Sequence, residues 1–170
     1  MSIVDRLKLW RCQHVGRDVR VLGRVWIHGD GEVHVGDGVV LDASAAPIEL
    51  RTAKGGRLVI GDFARLEGGC SLEAEGRLEL GPHVRVMAFA KIIDNHFHRV
   101  TGNRHERPPP GTVVLEEGVV VEPYAIVLPG AHIGKGARLL SRTVVTKRVP
   151  PGATVSGNPG KVMPPKPPAP

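Results

Sequence analysis

Between positions 94 and 111 the chain reads DNHFHRVTGNRHERPPPG, a polar, basic, proline-rich stretch that holds three of the eight histidines: His96, His98 and His105. Imidazole titrates near neutrality, which suits it to take a proton from a substrate and to return one to a leaving group. Asp94, at the head of the stretch, supplies a carboxylate of the kind that holds a histidine ring in one tautomer. Arg99, Arg104, Glu106 and Arg107 lie in the same segment and can reach an acceptor or a neighbouring subunit. Histidines also ligate zinc, but a zinc site needs three convergent ligands with supporting partners. No such spacing is recognisable among His83, His96, His98 and His105, so no metal is expected. No activated Cys or Ser stands beside the histidines either, which argues against a covalent enzyme intermediate.

The elements that must position this stretch follow a period of six. From 115 to 150 an aliphatic residue recurs at Leu115, Val121, Val127, Ile133, Leu139 and Val145. A small or β-branched residue follows each, four places on, at Val119, Ala125, Ala131, Ala137, Thr143 and Val149. Such a beat fits neither the period of about 3.6 of a helix nor the roughly two of a simple strand. It fits a chain that makes one flat face, turns a corner and repeats, as solenoids do. Upstream the beat is looser. Val21 pairs with Val25, Leu41 with Ala45, Ile60 with Ala64, Leu66 with Cys70, Leu72 with Gly76 and Ile92 with His96. Residues 46–57 read as a wider corner or short loop. On this template His96 occupies an inward position, a structural reading that competes with a catalytic one. Residues 94–111 are a loop that interrupts the coils, and a loop of that length within a compact domain is either functional or disordered. Its histidines favour function.

Composition agrees with a solenoid. The chain has 170 residues, enough for one domain with its own core, yet aromatics are only 4%. The core must therefore be filled by Val, Ile, Leu and Ala, one aliphatic layer per coil. Cys12 and Cys70 form neither a metal-spaced pair nor a disulfide framework, and a cytoplasmic setting is the default. No apolar run is long enough to cross a bilayer and no signal peptide pattern opens the chain. The net charge of +6 favours an anionic partner, but the bases are scattered and not interleaved with stacking aromatics. That argues against nucleic acid and for a small polyanion. In outline, residues 1–20 form a helical cap, 21–156 the coils with the inserted loop, and 157–170 a closing segment with a flexible Pro-rich tail. In the cap Ser2 starts a helix whose Ile3, Leu7 and Trp10 share a face, expected to cover the open end of the solenoid. Arg6, Lys8 and Arg11 lie largely off that face, an arrangement that also suits a membrane surface.

Two segments carry a resemblance. Residues 119–162, VVVEPYAIVLPGAHIGKGARLLSRTVVTKRVPPGATVSGNPGKV, resemble the C-terminal segment of the hexapeptide-repeat acyltransferases, with the LPG turn, the IGKGA corner, the VVTKRVP run and the closing GNPGKV. Residues 92–102, IIDNHFHRVTG, are similar to the histidine loop of the branch that acetylates sugars and capsular polysaccharides. The chain departs from the family at Val120-Val121-Glu122, at Ser141-Arg142-Thr143 and at His96, where an Asp often stands.

The resemblance implies an all-β, left-handed parallel β-helix of triangular cross-section, assembled as a homotrimer. It implies an O-acetyltransferase that moves an acetyl group from acetyl-CoA directly to a hydroxyl of a sugar, nucleotide sugar or polysaccharide precursor. His98 is the base by position in the motif, with His96 its rival and Asp94 its partner. Arg142, Thr143, Thr146, Lys147, Arg148 and Lys161 would meet the donor, and Arg99 and Arg104 the acceptor. Two other readings compete: a non-catalytic β-helix scaffold and, further off, a zinc enzyme of the γ-carbonic-anhydrase type.

Overall fold

The computed structural model describes residues 7–96, 103, 105 and 107–164. Parallel strands stack coil upon coil into three walls. The first wall is a six-stranded sheet of His14–Val15, Glu32–Val35, Arg57–Ile60, Arg77–Leu80, Val113–Leu115 and His132–Ile133. The other sheet folds round a corner to make two more walls, because Arg20–Gly29 and Val40–Thr52 run on from one to the next. Arg65–Glu67, Arg85–Val86, Val120–Val121, Arg138–Leu139 and Thr154–Ser156 continue the second wall. Ser71–Ala74, Lys91–Ile93, Ile126–Val127 and Val144–Val145 continue the third. This all-β parallel solenoid of about six turns matches a left-handed β-helix.

Strand register makes the six-residue beat into ladders. On the first wall Val15, Val35, Ile60, Leu80, Leu115 and Ile133 stack in register. Val21, Leu41, Leu66, Val86, Val121, Leu139 and Val155 stack on the second. Ile27, Leu50, Leu72, Ile92, Val127 and Val145 stack on the third. Nearly all of these side chains are buried, and smaller ones such as Ala64, Cys70, Ala90 and Ala125 fill the corners where the interior narrows.

Left-handed backbone turns the corners, a conformation usually left to glycine. Here Phe63, His83, Phe89, Tyr124 and Arg142 also adopt it, with φ between 57° and 62°. Each such residue costs on the order of 1 kcal/mol or more. Stacking offsets part of that. Phe63 lies on His83 with centroids 5.2 Å apart, and Phe89 on Tyr124 at 5.3 Å. Gly69, one coil below Phe89, must lack a side chain, because a Cβ there would come within 2.4 Å of the phenyl ring.

The first coils depart from expectation. Leu9 is the buried plug at the open end, 1% exposed, whereas Leu7 and Trp10 are 66% and 74% exposed. Leu7 and Trp10 of the expected cap face therefore do not seal the end, and Ser2 and Ile3 lie outside the described residues. Strand pairing begins at His14, inside the segment read as cap. Residues 46–57 are not a loop throughout: the strand runs to Thr52, and extra residues are accommodated between Ala43, opposite Gly23, and Ile48, opposite Val25. Ala45 is exposed, so Ala43 and not Ala45 turns inward after Leu41. Among the described residues no helix is long and apolar enough to cross a membrane.

Leu72 sits between Leu50 and Ile92 in the third ladder and is fully buried. Leu72→Ala should lower the unfolding free energy by about 2–5 kcal/mol in urea titration. Glu79→Ala, on the outside and paired among the described residues with Arg77, should cost no more than about 1 kcal/mol.

Candidate functional site

The loop leaves and rejoins the coils through a neck built on Asp94. This residue is fully buried. Its Oδ1 accepts the backbone N–H of Glu75 and its Oδ2 that of Gly76, both at 2.8 Å. Its own carbonyl accepts the N–H of Gly111 at 2.7 Å, so the two ends of the loop meet on one residue. Pro110 packs over Gly76, where a Cβ would lie 2.8 Å from the proline ring. Arg107 reaches Glu75 at 3.3 Å and ties the returning limb to the coil below. Asp94 thus directs its carboxylate at the preceding coil. Expected as the partner of His98, it anchors the loop. His98, Arg99 and Arg104 lie outside the described residues.

Beyond that anchor the chain turns outward. Asn95 is 4% exposed, and its Nδ2 points to Glu73 Oε2 at 3.5 Å. His96 is exposed and does not face the core. The inward reading of His96 fails because Asp94 breaks the six-residue beat: its carboxylate takes the buried position.

Three strands of the third wall bring the loop and the basic run to one edge. Lys91–Ile93 pairs with Ile126–Val127, which pairs with Val144–Val145. The residues just past their ends are Asp94 to His96, Leu128 to Gly130, and Thr146 to Arg148. Adjacent strands lie about 4.8 Å apart, so the histidine and the bases are separated by roughly 10 Å along that edge. Thr146, Lys147 and Arg148 are all exposed. Between the two groups the wall points Ile93, Ile126, Leu128 and Val144 outward, each half-buried.

The remaining expected donor contacts divide. Thr143 is a correction: it is fully buried, in the inward corner position that Cys70, Ala90 and Ala125 hold in other coils, and its hydroxyl donates to the Val155 carbonyl at 3.3 Å. Its side chain belongs to the core. Arg142 is exposed but stands at the opposite end of the third wall, its guanidinium 5.6 Å from the Tyr124 ring centroid. Lys161 is exposed in the closing strand Lys161–Val162, antiparallel to Thr154–Ser156. Glu122 is a bracket between coils, accepting from Arg138 Nε at 2.6 Å and from the N–H and hydroxyl of Ser141 at 3.0 and 3.1 Å. Burial pushes its carboxyl up, but the bonds from Arg138 and Ser141 outweigh that and hold it below its ordinary value.

The other histidines serve elsewhere. His83 stacks on Phe63 at a different corner from His96, and His132 bonds Glu116 at 2.6 Å. Among the described residues no group of His, Cys, Asp and Glu is arranged to hold a metal. Burial pushes both thiols up to about 12, so neither offers a thiolate near neutral pH.

Sequence reading missed the groove beneath the loop. About 240 Å³ in volume, it is lined by Asp30, Arg51, Lys54, Glu73, Asn95 and Arg107 among others. Arg51 pairs with Glu73 at 3.7 Å, so much of its charge is internally balanced. Glu73, when ionised, can only accept, which orients the Asn95 amide and leaves its buried Oδ1 without a donor among the described residues. The only sequence signal was the adjacency of Asn95 to the histidine.

Asp94→Ala removes the acceptor for two backbone N–H groups at once, each worth about 1–3 kcal/mol when left buried and unpaired. The variant should lose several-fold protection from hydrogen exchange at Glu75 and Gly76. Proteolysis within 97–106 should become faster than in the parent.

No family profile matches the chain. Over 58 residues, 34% of the chain, it is 40% identical to the 2,3,4,5-tetrahydropyridine-2,6-dicarboxylate N-acetyltransferase of Staphylococcus aureus, and the match spans 24% of that enzyme's length. Solved structures match almost the whole chain. A hexapeptide-repeat-containing acetyltransferase from Vibrio cholerae superposes with a TM-score of 0.68 at 17% identity, over 96% of this chain and 80% of that one. A variant N-acyltransferase from Bacillus cereus, in complex with dTDP-4-amino-4,6-dideoxyglucose and coenzyme A, gives 0.66 at 16% identity over 95% and 88%. A maltose O-acetyltransferase from Clostridium difficile gives 0.65 at 18% identity over 94% and 72%. The chain has the β-helix fold of the hexapeptide-repeat acetyltransferases.

Proposed function

We propose that the protein is a cytoplasmic, homotrimeric acyltransferase that moves an acetyl group from acetyl-CoA to a hydroxyl of a sugar, nucleotide sugar or polysaccharide precursor. One observation carries the reading: exposed His96 and the exposed run Thr146–Lys147–Arg148 stand on one edge of the third wall, roughly 10 Å apart by strand spacing. Related folds hold coenzyme A in the Bacillus cereus complex and in an acetyl-CoA complex of the Vibrio cholerae protein.

The residues present fit such a donor. Coenzyme A would bring the acetyl group as a thioester together with three phosphates. Lys147 and Arg148 have no acid within ion-pair distance among the described residues and supply charge for those phosphates. Arg142 and Lys161, toward the other end of the wall, can meet another part of the donor. The outward Ile93, Ile126, Leu128 and Val144 favour a neighbouring copy against this wall, since a half-covered aliphatic strip on a sheet face is normally buried by something. In a trimer that contact would enclose both donor and loop.

A loop histidine acts as base. It takes the acceptor hydroxyl proton as the oxygen attacks the acyl carbon, and returns a proton to the departing thiolate. Transfer is direct, consistent with the protonated thiols of half-buried Cys12 and buried Cys70. The motif favours His98. His96, exposed two residues beyond the doubly bonded carboxylate of Asp94, is the rival base. The charge-balanced groove below the loop supports an acceptor rich in hydroxyls, and Arg99 and Arg104 remain proposed contacts to it. An O-acceptor agrees with the maltose O-acetyltransferase likeness, whereas the Staphylococcus aureus and Bacillus cereus proteins are N-acyl transferring.

His98→Ala should lower kcat by roughly 10²–10⁴ while leaving the acetyl-CoA dissociation constant within about twofold. His96→Ala should retain most activity; the reverse result would move the base to His96. Thiol release from acetyl-CoA with paired hydroxyl and amine sugars decides between O- and N-transfer. Failure to bind acetyl-CoA at all in calorimetry would favour the scaffold reading. Lys147→Ala with Arg148→Ala should weaken donor binding about tenfold or more, with the weakening reduced at high salt.

A further inference from the structure

Both tryptophans of the chain, Trp10 and Trp26, stand at its N-terminal end, and both are exposed, at 74% and 44%. Leu7 and Leu22 are exposed with them, at 66% and 50%. None of the four closes the solenoid, since Leu9 does that with Cys12 packed beside the core. One coil further in, the outward positions in register with Leu22 and Trp26 are Asp42 and Glu49. In the Trp26 column the next rungs are Glu49, Ser71 and Lys91, so within the N-terminal half a large apolar side chain stands there only in the first coil.

The same end is basic. Residues 7–31 hold Lys8, Arg11, Arg17, Arg20 and Arg24 against Asp18 and Asp30, an excess of three within the whole-chain excess of six. Arg17 is neutralised by Asp37 at 2.9 Å. Lys8 bonds the Val21 carbonyl at 3.2 Å and Arg11 the Gly29 carbonyl at 2.9 Å, so both side chains are held across the open end. The Arg11 guanidinium also lies 5.6 Å from the Trp10 ring centroid, presenting base and indole together. Arg20 and Arg24 are exposed on the same strand as Leu22 and Trp26.

Indole prefers the boundary between acyl chains and headgroups, and each Lys or Arg near an anionic bilayer contributes about 1 kcal/mol. We propose that the N-terminal end of the solenoid docks on an anionic lipid surface, Leu7, Trp10, Leu22 and Trp26 entering the headgroup boundary while Lys8, Arg11, Arg20 and Arg24 meet anionic headgroups. Charge selects this occupant over a second copy, whose identical end would bring the same excess of bases against it. The docking does not depend on the proposed acyltransferase activity.

The test uses the full chain with phosphatidylcholine vesicles, with and without phosphatidylglycerol. Tryptophan emission should shift to the blue, and the protein should float with vesicles, only when phosphatidylglycerol is present; added salt should reverse both. The double variants Leu7→Ser with Trp10→Ser, and Arg20→Glu with Arg24→Glu, should each lower vesicle partitioning roughly tenfold or more. Their thermal midpoints should match the parent's. No binding to anionic vesicles overturns the proposal, as does equal binding to neutral ones. Dissociation of the oligomer in the Leu7/Trp10 variant, seen by sedimentation, would also overturn it by assigning this end to a contact between copies.

Discussion

Each strand in this molecule must hydrogen-bond to the strand one coil above and one coil below, and that requirement fixes nearly everything else. Parallel pairing in register puts like positions on top of one another, so a side chain chosen for one coil meets its counterpart in the next. The interior is therefore a set of vertical columns. The third-wall column from Ile27 through Leu50, Leu72, Ile92 and Val127 to Val145 contains no polar residue and no aromatic one. A larger ring at any rung would press on two neighbours at once, since close-packed interiors have little room to yield. Aromatics are consequently displaced to the outside of corners, where Phe63, Phe89 and Tyr124 stack.

The same requirement explains how a long loop can be inserted without disturbing the stack. The strand Lys91–Ile93 still pairs below and above, and Val113–Leu115 resumes the first wall between Arg77–Leu80 and His132–Ile133. What must be supplied is a closed neck. Asp94 provides it by accepting two backbone N–H groups from the coil below, while its carbonyl takes Gly111. A buried carboxylate is costly unless its hydrogen bonds are made, and here the two oxygens face two donors. The loop's first exposed side chain, His96, is thereby tied to the rigid coil only two residues away.

How far the sequence could be read follows from where the beat survives. From Leu115 to Val149 no residue is inserted, and the inward positions expected there are buried. In the first coils the beat fails because Val40–Thr52 carries extra residues between Ala43 and Ile48, which exchanges Ala45 for Ala43 as the inward neighbour of Leu41. His96 was misplaced for a related reason: counting four from Ile92 assumes an uninterrupted hexad, yet Asp94 has already taken the buried place. Thr143 shows the opposite case. Its position in the hexad marked it as inward, and its inclusion among donor contacts rested on neighbouring family motifs, so the periodicity was the better guide. In the cap, helical spacing relates Leu7 to Trp10, but the chain turns at Leu9 and carries that side chain inward. Left-handed corners at Phe89, Tyr124 and Arg142 carry no signal in composition, since glycine is the residue normally read for that backbone.

The two ends of a solenoid face the same problem, unpaired strand edges, and this chain treats them differently. At the C-terminal end Lys161–Val162 folds back antiparallel on Thr154–Ser156, and Gly160 donates to the Val144 carbonyl, so polar backbone groups there find partners within the chain. At the N-terminal end the plug among the described residues is Leu9, and the carbonyls of Val21 and Gly29 are met by the Lys8 and Arg11 side chains. The first arrangement pairs its backbone groups but leaves Val162 and Met163 exposed. The second leaves two indoles and several bases facing outward, which costs solvent exposure of apolar surface unless a partner covers it. If that partner is a lipid surface, the loop edge stands three coils above it, roughly 15 Å at the usual strand spacing. The end of the solenoid would then set the height of that edge above the membrane.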